Sequence, residues 1–221
     1  MAANATSFEL HTGVADALEY LPVSGATEYG KGETIYGPTE RPNRIYLVVV
    51  GTVEISQLAG AGSEVLLDLI RAEELFGESA FLDIPLGSER AVAIEKTKLM
   101  SWDVSEMEDL VMKQPRLGVA LMQILAWRTG EFTRRIESFA LDSIEQRLAR
   151  SLIRFSERLG TEEENGIVSM MPLTHAMLSR YVGTSREIVT QYMIRFRKRG
   201  HVSYSRQGIR LRRDALRAAF D

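Results

Sequence analysis

The 221 residues are 45% hydrophobic and 26% charged, enough apolar material for a real core in one large or two smaller domains. The absence of cysteine excludes disulfides, thiolate zinc, an iron–sulfur cluster and thiol redox sensing, and three scattered histidines (His11, His175, His201) argue against a metal site, so none is expected. The net charge of −3 is uneven: from Ser143 onward 15 Lys+Arg stand against 8 Asp+Glu, whereas the front carries 12 against 22. A basic back of +7 behind a front of −10 is either a solvated surface or the mark of a polyanionic partner, and charge alone leaves the two even.

The start, "MAANATSFELHTG", lacks the basic-then-apolar layout of a signal peptide, and no apolar run approaches the roughly 18 residues needed to cross a membrane. A cytoplasmic location and no membrane partner are expected. From about Glu28 to Trp102, short β-branched and aliphatic runs alternate with Gly, Pro and Asn. "RIYLVVVGTVEISQL", "AGAG" and "SEVLLDLI" read as a meander of short strands, and "RAVAIEKTKLMSWD" as a strand pair turning near Lys96–Lys98. Strands at this spacing without long helices between them suggest a small barrel or roll.

After Trp102 the pattern turns helical. "DVSEMEDLVMKQP" is a short helix opened by Asp103 or Ser105 and stopped near Pro115. From Arg116 to about Leu159 there is no proline, and Leu117, Leu121, Ile124, Arg128, Glu131 and Arg135 follow a 4-3-4-3-4 spacing. That spacing suits a helix that pairs with another helix. A break near Leu141–Asp142–Ser143 fits equally, and the two combine into one pairing helix, a hinge near Asp142 and a new helix from Ile144 to Leu159. "GTEEENGIVSMMP" is a polar turn and a short strand; two close helical segments follow, Thr174–Tyr181 and Ser185–Arg199. A hairpin at Val202–Ser205 and Ile209–Leu211 turns at Gln207–Gly208, and Asp214 caps a last short helix.

On the second of the two close helices, Val189, Tyr192, Met193 and Phe196 fall within an arc of about 100°, enough to dock one face in a core. The opposite arc holds Arg186, Glu187, Thr190, Gln191, Ile194, Arg197 and Lys198. In front, "LTHAMLSRYVG" supplies a matching stripe and Gly183 at the turn, the layout of a helix-turn-helix whose second helix enters a major groove. Glu187 has two readings of equal weight: partner of Thr184 in a capping box, or acceptor from cytosine N4. Arg186 has no cap role and is read as gripping guanine O6 and N7. Lys198 and Arg199 suit a helix C-terminus as well as a phosphate.

At this point the residues carry a resemblance. "IYLVVVGTVEI", "LFGESAFL", "SERAVAI" and, most specifically, "LSRYVGTSREIVTQYMIRFRKRGHV" are similar to the Crp/Fnr family, typified by the cyclic-AMP receptor protein and the fumarate–nitrate regulator. The resemblance covers nearly the whole chain. It implies an α+β chain in three parts. Residues 1–115 would form an effector-sensing β-roll, of the cyclic-nucleotide-binding, jelly-roll type. Residues 116–142 would be the dimerisation helix and hinge, and residues 143–221 a winged-helix DNA-binding domain. It further implies a homodimer through the Arg116–Leu141 helix, a pseudo-palindromic double-stranded DNA site, RNA polymerase as a protein partner, and no catalysis.

In the reading head the resemblance carries base contacts onto Arg186, Glu187, Thr190 and Gln191, the glutamine standing where the family has a guanine-reading arginine. Phosphate contacts fall on Thr174, His175, Ser185, Arg195 and Lys198. In the roll, the family's phosphate cassette maps onto Gly77, Glu78, Ser79, Ala80, Arg90 and Ala91, with Glu131 on the long helix. Ala91 stands where the family has serine, and the connection "SAFLDIPLGSE" is slightly long. A cyclic nucleotide, another effector or none remain open, as does a simple Arg90–Glu78 or Arg90–Glu89 ion pair in a roll that has lost its ligand. Two other functions are weighed: an effector-independent DNA binder, and a cyclic-nucleotide module that regulates a partner protein.

Overall fold

A computed structural model of the chain describes residues 17–38, 42–82 and 88–220. Eight strands form the front: β1 (Ala26–Tyr29), β2 (Thr34–Tyr36), β3 (Arg44–Val50), β4 (Thr52–Leu58), β5 (Glu64–Arg71), β6 (Leu75–Phe76), β7 (Ser88–Ala93) and β8 (Thr97–Asp103). They sort into two antiparallel sheets, β1-β8-β3-β6 and β2-β7-β4-β5. This is a jelly-roll order and corrects the expected meander. Only β4 and β5 pair as chain neighbours; β3 and β4 part into opposite sheets at Gly51, as do β7 and β8, which the sequence reading had paired. Gly51 makes that crossing with φ at +94°, where an added Cβ would stand 2.7 Å from the Lys96 carbonyl oxygen. Between the sheets lie Val48, Val53, Ile70 and Leu99, with Tyr36, Tyr46 and Phe76 in mutual ring contact at 5.0–6.2 Å.

Helix α1 (Val104–Lys113) opens on a capping box between Asp103 and Glu106. α1 stops just before Pro115, as expected, and Pro115 then opens α2 (Pro115–Leu141) as its first residue, where a missing N–H costs nothing. The 27 residues of α2 rise about 40 Å. The face carrying Leu117, Ala120, Leu121 and Ile124 packs on Ile45, Leu75, Trp102 and Met107 of its own roll. The stripe expected to pair with a second helix is therefore an intrachain contact. A different row, Met122, Leu125, Thr129, Phe132, Ile136 and Phe139, is exposed along the rest of the helix.

Asp142 and Ser143 are extended (φ/ψ −89°/145° and −64°/160°), and Ser143 caps α3 (Ile144–Leu159) by accepting from the Gln146 amide. The remainder is a winged helix: β9 (Gly160–Glu162), β10 (Ile167–Met170), α4 (His175–Val182), α5 (Arg186–Lys198), β11 (Val202–Tyr204), β12 (Ile209–Arg212) and α6 (Arg213–Ala218). Its sheet runs β11-β12-β10-β9. Asp214 lies in the first turn of α6, and Arg212, not Asp214, occupies the cap position. Leu152, Phe155, Leu178, Val189, Met193, Phe196 and Leu211 form the core of this head, and Leu66 and Leu69 of β5 are buried in the same cluster. Two leucines of the roll thus belong to the core of the head, while the roll keeps its own cores between its sheets and under α2.

Candidate functional site

The two-helix motif is set by its turn. Gly183 ends α4 with φ/ψ of +72°/52°, and its amide and that of Thr184 both return to the Ser179 carbonyl at 3.0 and 3.1 Å. A Cβ at Gly183 would stand 2.9 Å from the Phe139 ring of α2. Ser185, not Thr184, is the N-cap of α5, accepting from the Ile188 amide at 3.3 Å. The helix starts one residue later than the capping-box reading required, so Glu187 sits on the second residue of the helix, out of phase with that box. Its carboxyl is held below the usual range by its own backbone N–H and by the Ser185 hydroxyl, which keeps it charged at the helix start.

Val189, Met193 and Phe196 are fully buried, and Tyr192 packs against the same core. The opposite face leaves Arg186, Glu187 and Gln191 exposed side by side on the first two turns. Thr190 is half-buried. Its hydroxyl donates to the Arg186 carbonyl at 2.8 Å and meets His175 Nδ1 at 2.8 Å. The one hydroxyl proton being spent on Arg186, Nδ1 is the donor of the second bond. His175 also stands edge-on to Tyr204 of the wing at 5.5 Å, and burial, then the Arg186 charge, lower its pKa below 6.5. It is a neutral bridge between α4, α5 and the wing near pH 7 rather than a cation. Thr174 caps α4 by accepting from the Met177 amide.

Arg195 is bonded to Glu145 at 2.9 Å and lies over the Tyr192 ring. Lys198 is exposed, and among the described residues it enters no ion pair; the same holds for Arg186, Arg206 and Arg212. Arg206, in the β11–β12 turn at the tip of the wing, was missed by the sequence reading. Its signal was an arginine beside the Gln207–Gly208 hairpin turn, three residues from which Arg197 covers Tyr204.

In the roll, Gly77 adopts φ of +88° where a Cβ would stand 2.7 Å from the Arg44 carbonyl oxygen, and Glu78, Ser79 and Ala80 follow in a single 3-10 turn. Glu78 is ion-paired with Arg128 of α2, whose guanidinium also donates to the Leu75 carbonyl. Glu89 accepts from the Tyr36 hydroxyl at 2.7 Å and the Ser79 hydroxyl at 3.2 Å. Among the described residues neither Arg90–Glu78 nor Arg90–Glu89 forms an ion pair: Arg90 is half-exposed and reaches Thr34 Oγ1 at 3.4 Å. Ala91 is buried in the sheet interior. Glu131 is buried too, its carboxylate taken by Arg134 and by Arg154 of α3. Residues 83–87 of the cassette connection lie outside the described residues. Strand alternation turns Arg90 to the face opposite Glu89, and with no carboxylate beside it among the described residues its guanidinium is a cation suited to an anion. In the sequence Arg128 is one step of a helix stripe; its charge, where the stripe turns from apolar to charged, is the available signal for a polar contact to the roll.

The comparisons with known proteins agree with this layout. The cyclic nucleotide-binding domain family matches residues 26–114, and the Crp-like helix-turn-helix domain family matches residues 146–219. The chain is 27% identical over 188 residues to the cyclic AMP receptor protein of Thermus thermophilus, covering 85% of this chain and 84% of that one. It is 25% identical over 175 residues to a CRP-like cAMP-activated global transcriptional regulator of Mycobacterium tuberculosis, covering 79% and 78%. Its fold superposes on a CooA variant from Carboxydothermus hydrogenoformans with a TM-score of 0.76 at 18% identity, over 96% of this chain and 97% of that one. Among the described residues no helix is long and apolar enough to cross a membrane.

Proposed function

The chain belongs to the Crp/Fnr family of transcription regulators, and we propose that it reads a pseudo-palindromic DNA site as a homodimer under the control of an anionic effector in its roll. It is a sequence-specific DNA-binding regulator of that type. The observation that carries the residue-level reading is the partition of α5: one face fully buried, the other presenting Arg186, Glu187 and Gln191 with no internal ion pair on Arg186. Arg186 reads a guanine, Glu187 a cytosine amine and Gln191 an adenine edge, with Thr190 held just behind them. Ser185, Thr174 and Lys198 face phosphates, and Arg206 at the wing tip joins them; Arg195 is committed to Glu145 and His175 to Thr190, so both contribute less.

The exposed row on α2 supports the homodimer. Met122, Leu125, Thr129, Phe132, Ile136 and Phe139 follow a 3-4-3-4-3 spacing, the a/d seam of a two-stranded coiled coil, and a second copy of the same helix presents the complementary row. Two heads so joined would address half-sites about 34 Å apart. The Arg90 guanidinium, free of any carboxylate among the described residues, supports an anionic effector, for which a cyclic nucleotide is the first candidate, as in the cAMP-activated relatives. RNA polymerase as partner and the cytoplasm as location rest on the family resemblance.

The experiment is binding-site selection from random duplexes, with Arg186→Ala beside the parent. The variant should lose about 1–3 kcal/mol and relax preference at one base position. An equal loss on every sequence would make Arg186 a phosphate contact and overturn its reading role.

A further inference from the structure

His175 is the first residue of α4, and its ring lies between the reading helix and the wing. On one side Nδ1 meets the Thr190 hydroxyl at 2.8 Å, and that hydroxyl donates its own proton to the Arg186 carbonyl. Nδ1 must therefore carry a hydrogen, which fixes the tautomer: in the neutral ring the opposite nitrogen, Nε2, is a bare lone pair. Among the described residues nothing is hydrogen-bonded to Nε2. The groups around the ring favour its neutral form. Arg186 faces it from α5, and on the wing side Arg197 lies over the Tyr204 ring at 5.2 Å. The α4 N-terminus adds the positive end of its dipole. Glu187, the nearest acid in sequence to Arg186, is held by its own backbone N–H and the Ser185 hydroxyl, and among the described residues no carboxylate pairs with His175.

A DNA phosphate cannot be met by that lone pair. Phosphate oxygens only accept, as does the neutral Nε2, so the two repel unless a proton lies between them. In helix-turn-helix docking the first helix crosses the sugar–phosphate backbone while the second enters the groove, which carries the start of α4 toward phosphates. Binding thus brings a negative charge to a ring that burial and Arg186 keep neutral in the free head.

We infer that His175 is a proton-gated phosphate contact: each head takes up a proton at this ring as it closes on DNA, and the regulator binds more tightly as the pH falls. The proton comes from solvent, Nε2 gains it, and an N–H···O–P hydrogen bond forms. The Thr190 bond survives, because Nδ1 donates in both forms, so protonation adds a contact without loosening α5. The sign follows from linkage. The phosphate raises the bound pKa above the free one, so the added affinity is fully present below the free value and is lost as the pH rises through the bound value. The window opens at that free value, which lies below 6.5. The inference rests on the head binding DNA, but not on which bases Arg186, Glu187 and Gln191 read, since a phosphate contact acts on any duplex.

The test uses the full chain with a duplex of the selected site and an unrelated duplex at low salt. Calorimetry near pH 6.5 in buffers of different ionisation enthalpy should show net proton uptake by the parent on both duplexes, up to about one proton per head. His175→Gln, which keeps a donor for Thr190 and cannot be charged, should show none. Parent affinity should fall about tenfold between about pH 6 and pH 8, and that of His175→Gln should stay within about twofold of the parent's value at pH 8 throughout. The slope of log affinity against log salt should be steeper at pH 6 by about 0.9 per head in the parent alone, which a purely structural role of the ring would not produce. His201→Gln, the other histidine of the head, should behave as the parent. No uptake by the parent, or uptake undiminished in His175→Gln, would overturn the inference. A chain that binds neither duplex at any pH would overturn both it and the DNA-binding reading of the head.

Discussion

The exposed α2 seam makes a quantitative demand on the dimer. Ile136 is 69% exposed in the single chain and lies midway between Phe132 and Phe139 in the 3-4 spacing. Full burial of an isoleucine side chain is worth about 1.5–3 kcal/mol, so covering the exposed part gives about 1–2 per copy and about 2–4 for the symmetric pair. Ile136→Ala keeps Cβ and should cost near the lower end, about 2 kcal/mol, or roughly 30-fold in the dimer dissociation constant. Sedimentation equilibrium over a concentration series reads this directly. Glu137→Ala, exposed on the adjacent side of the same turn, is the control and should leave dimerisation within about threefold. Leu121→Ala distinguishes the two faces: that residue packs on its own roll, so it should lower the melting temperature without a comparable loss of dimer. A parent that sediments as a monomer at micromolar concentration, or an Ile136→Ala dimer as tight as the parent, refutes the seam.

Two further expectations test the turn and the roll. Gly183→Ala should lower the free energy of unfolding by about 1–3 kcal/mol in urea titration, because it combines a positive φ with a clash against Phe139; Gly200→Ala, with φ of +76° and nothing within 4 Å, should lose only the backbone part, about 1 kcal/mol. Arg90→Ala should abolish the thermal shift produced by whichever of cyclic AMP, cyclic GMP or cyclic di-GMP stabilises the parent; a variant stabilised as much as the parent removes Arg90 from the site, and a parent shifted by none of them favours effector-independent binding.

Much of the fold is written in local patterns, and the departures share one cause. The break at Asp142–Ser143, the buried stripe of α5 and the turn at Gly183 are legible because capping, a 3.6-residue period and positive φ act over a few residues. Strand partners are not local. Alternation assigns a residue to a face, but it does not say that β7 and β8 belong to opposite sheets. On α2 the difficulty is that two apolar rows coexist, Leu117–Leu121–Ile124 and Met122–Leu125–Phe132–Ile136–Phe139. Which of them faces the roll depends on where the roll lies. At the start of α5, Thr184 and Ser185 are both competent caps, and the Gly183 turn decides in favour of the second. The cassette glutamate and arginine were legible as residue types, but Arg128 as partner of Glu78 required 50 residues of intervening fold.

The charge asymmetry has the most instructive resolution. A basic back and an acidic front read as two separate partners, yet much of the attraction is internal. Arg158 and Arg180 are bound to acids of the roll, Arg154 to Glu131 of α2, and Arg195 and Arg199 to Glu145 at the base of α3. Arg147 and Arg197 lie over the rings of Phe139 and Tyr204. Among the described residues of the head, the cations with no internal acid include Arg186 at the start of α5, Lys198 at its end and Arg206 at the wing tip. A polyanion meets its strongest attraction where cations are not already neutralised, since each paired arginine must first give up a carboxylate. The excess of positive charge over the last 79 residues therefore says little by itself; its distribution does, because what remains unpaired lies along the two elements of a winged helix that approach DNA.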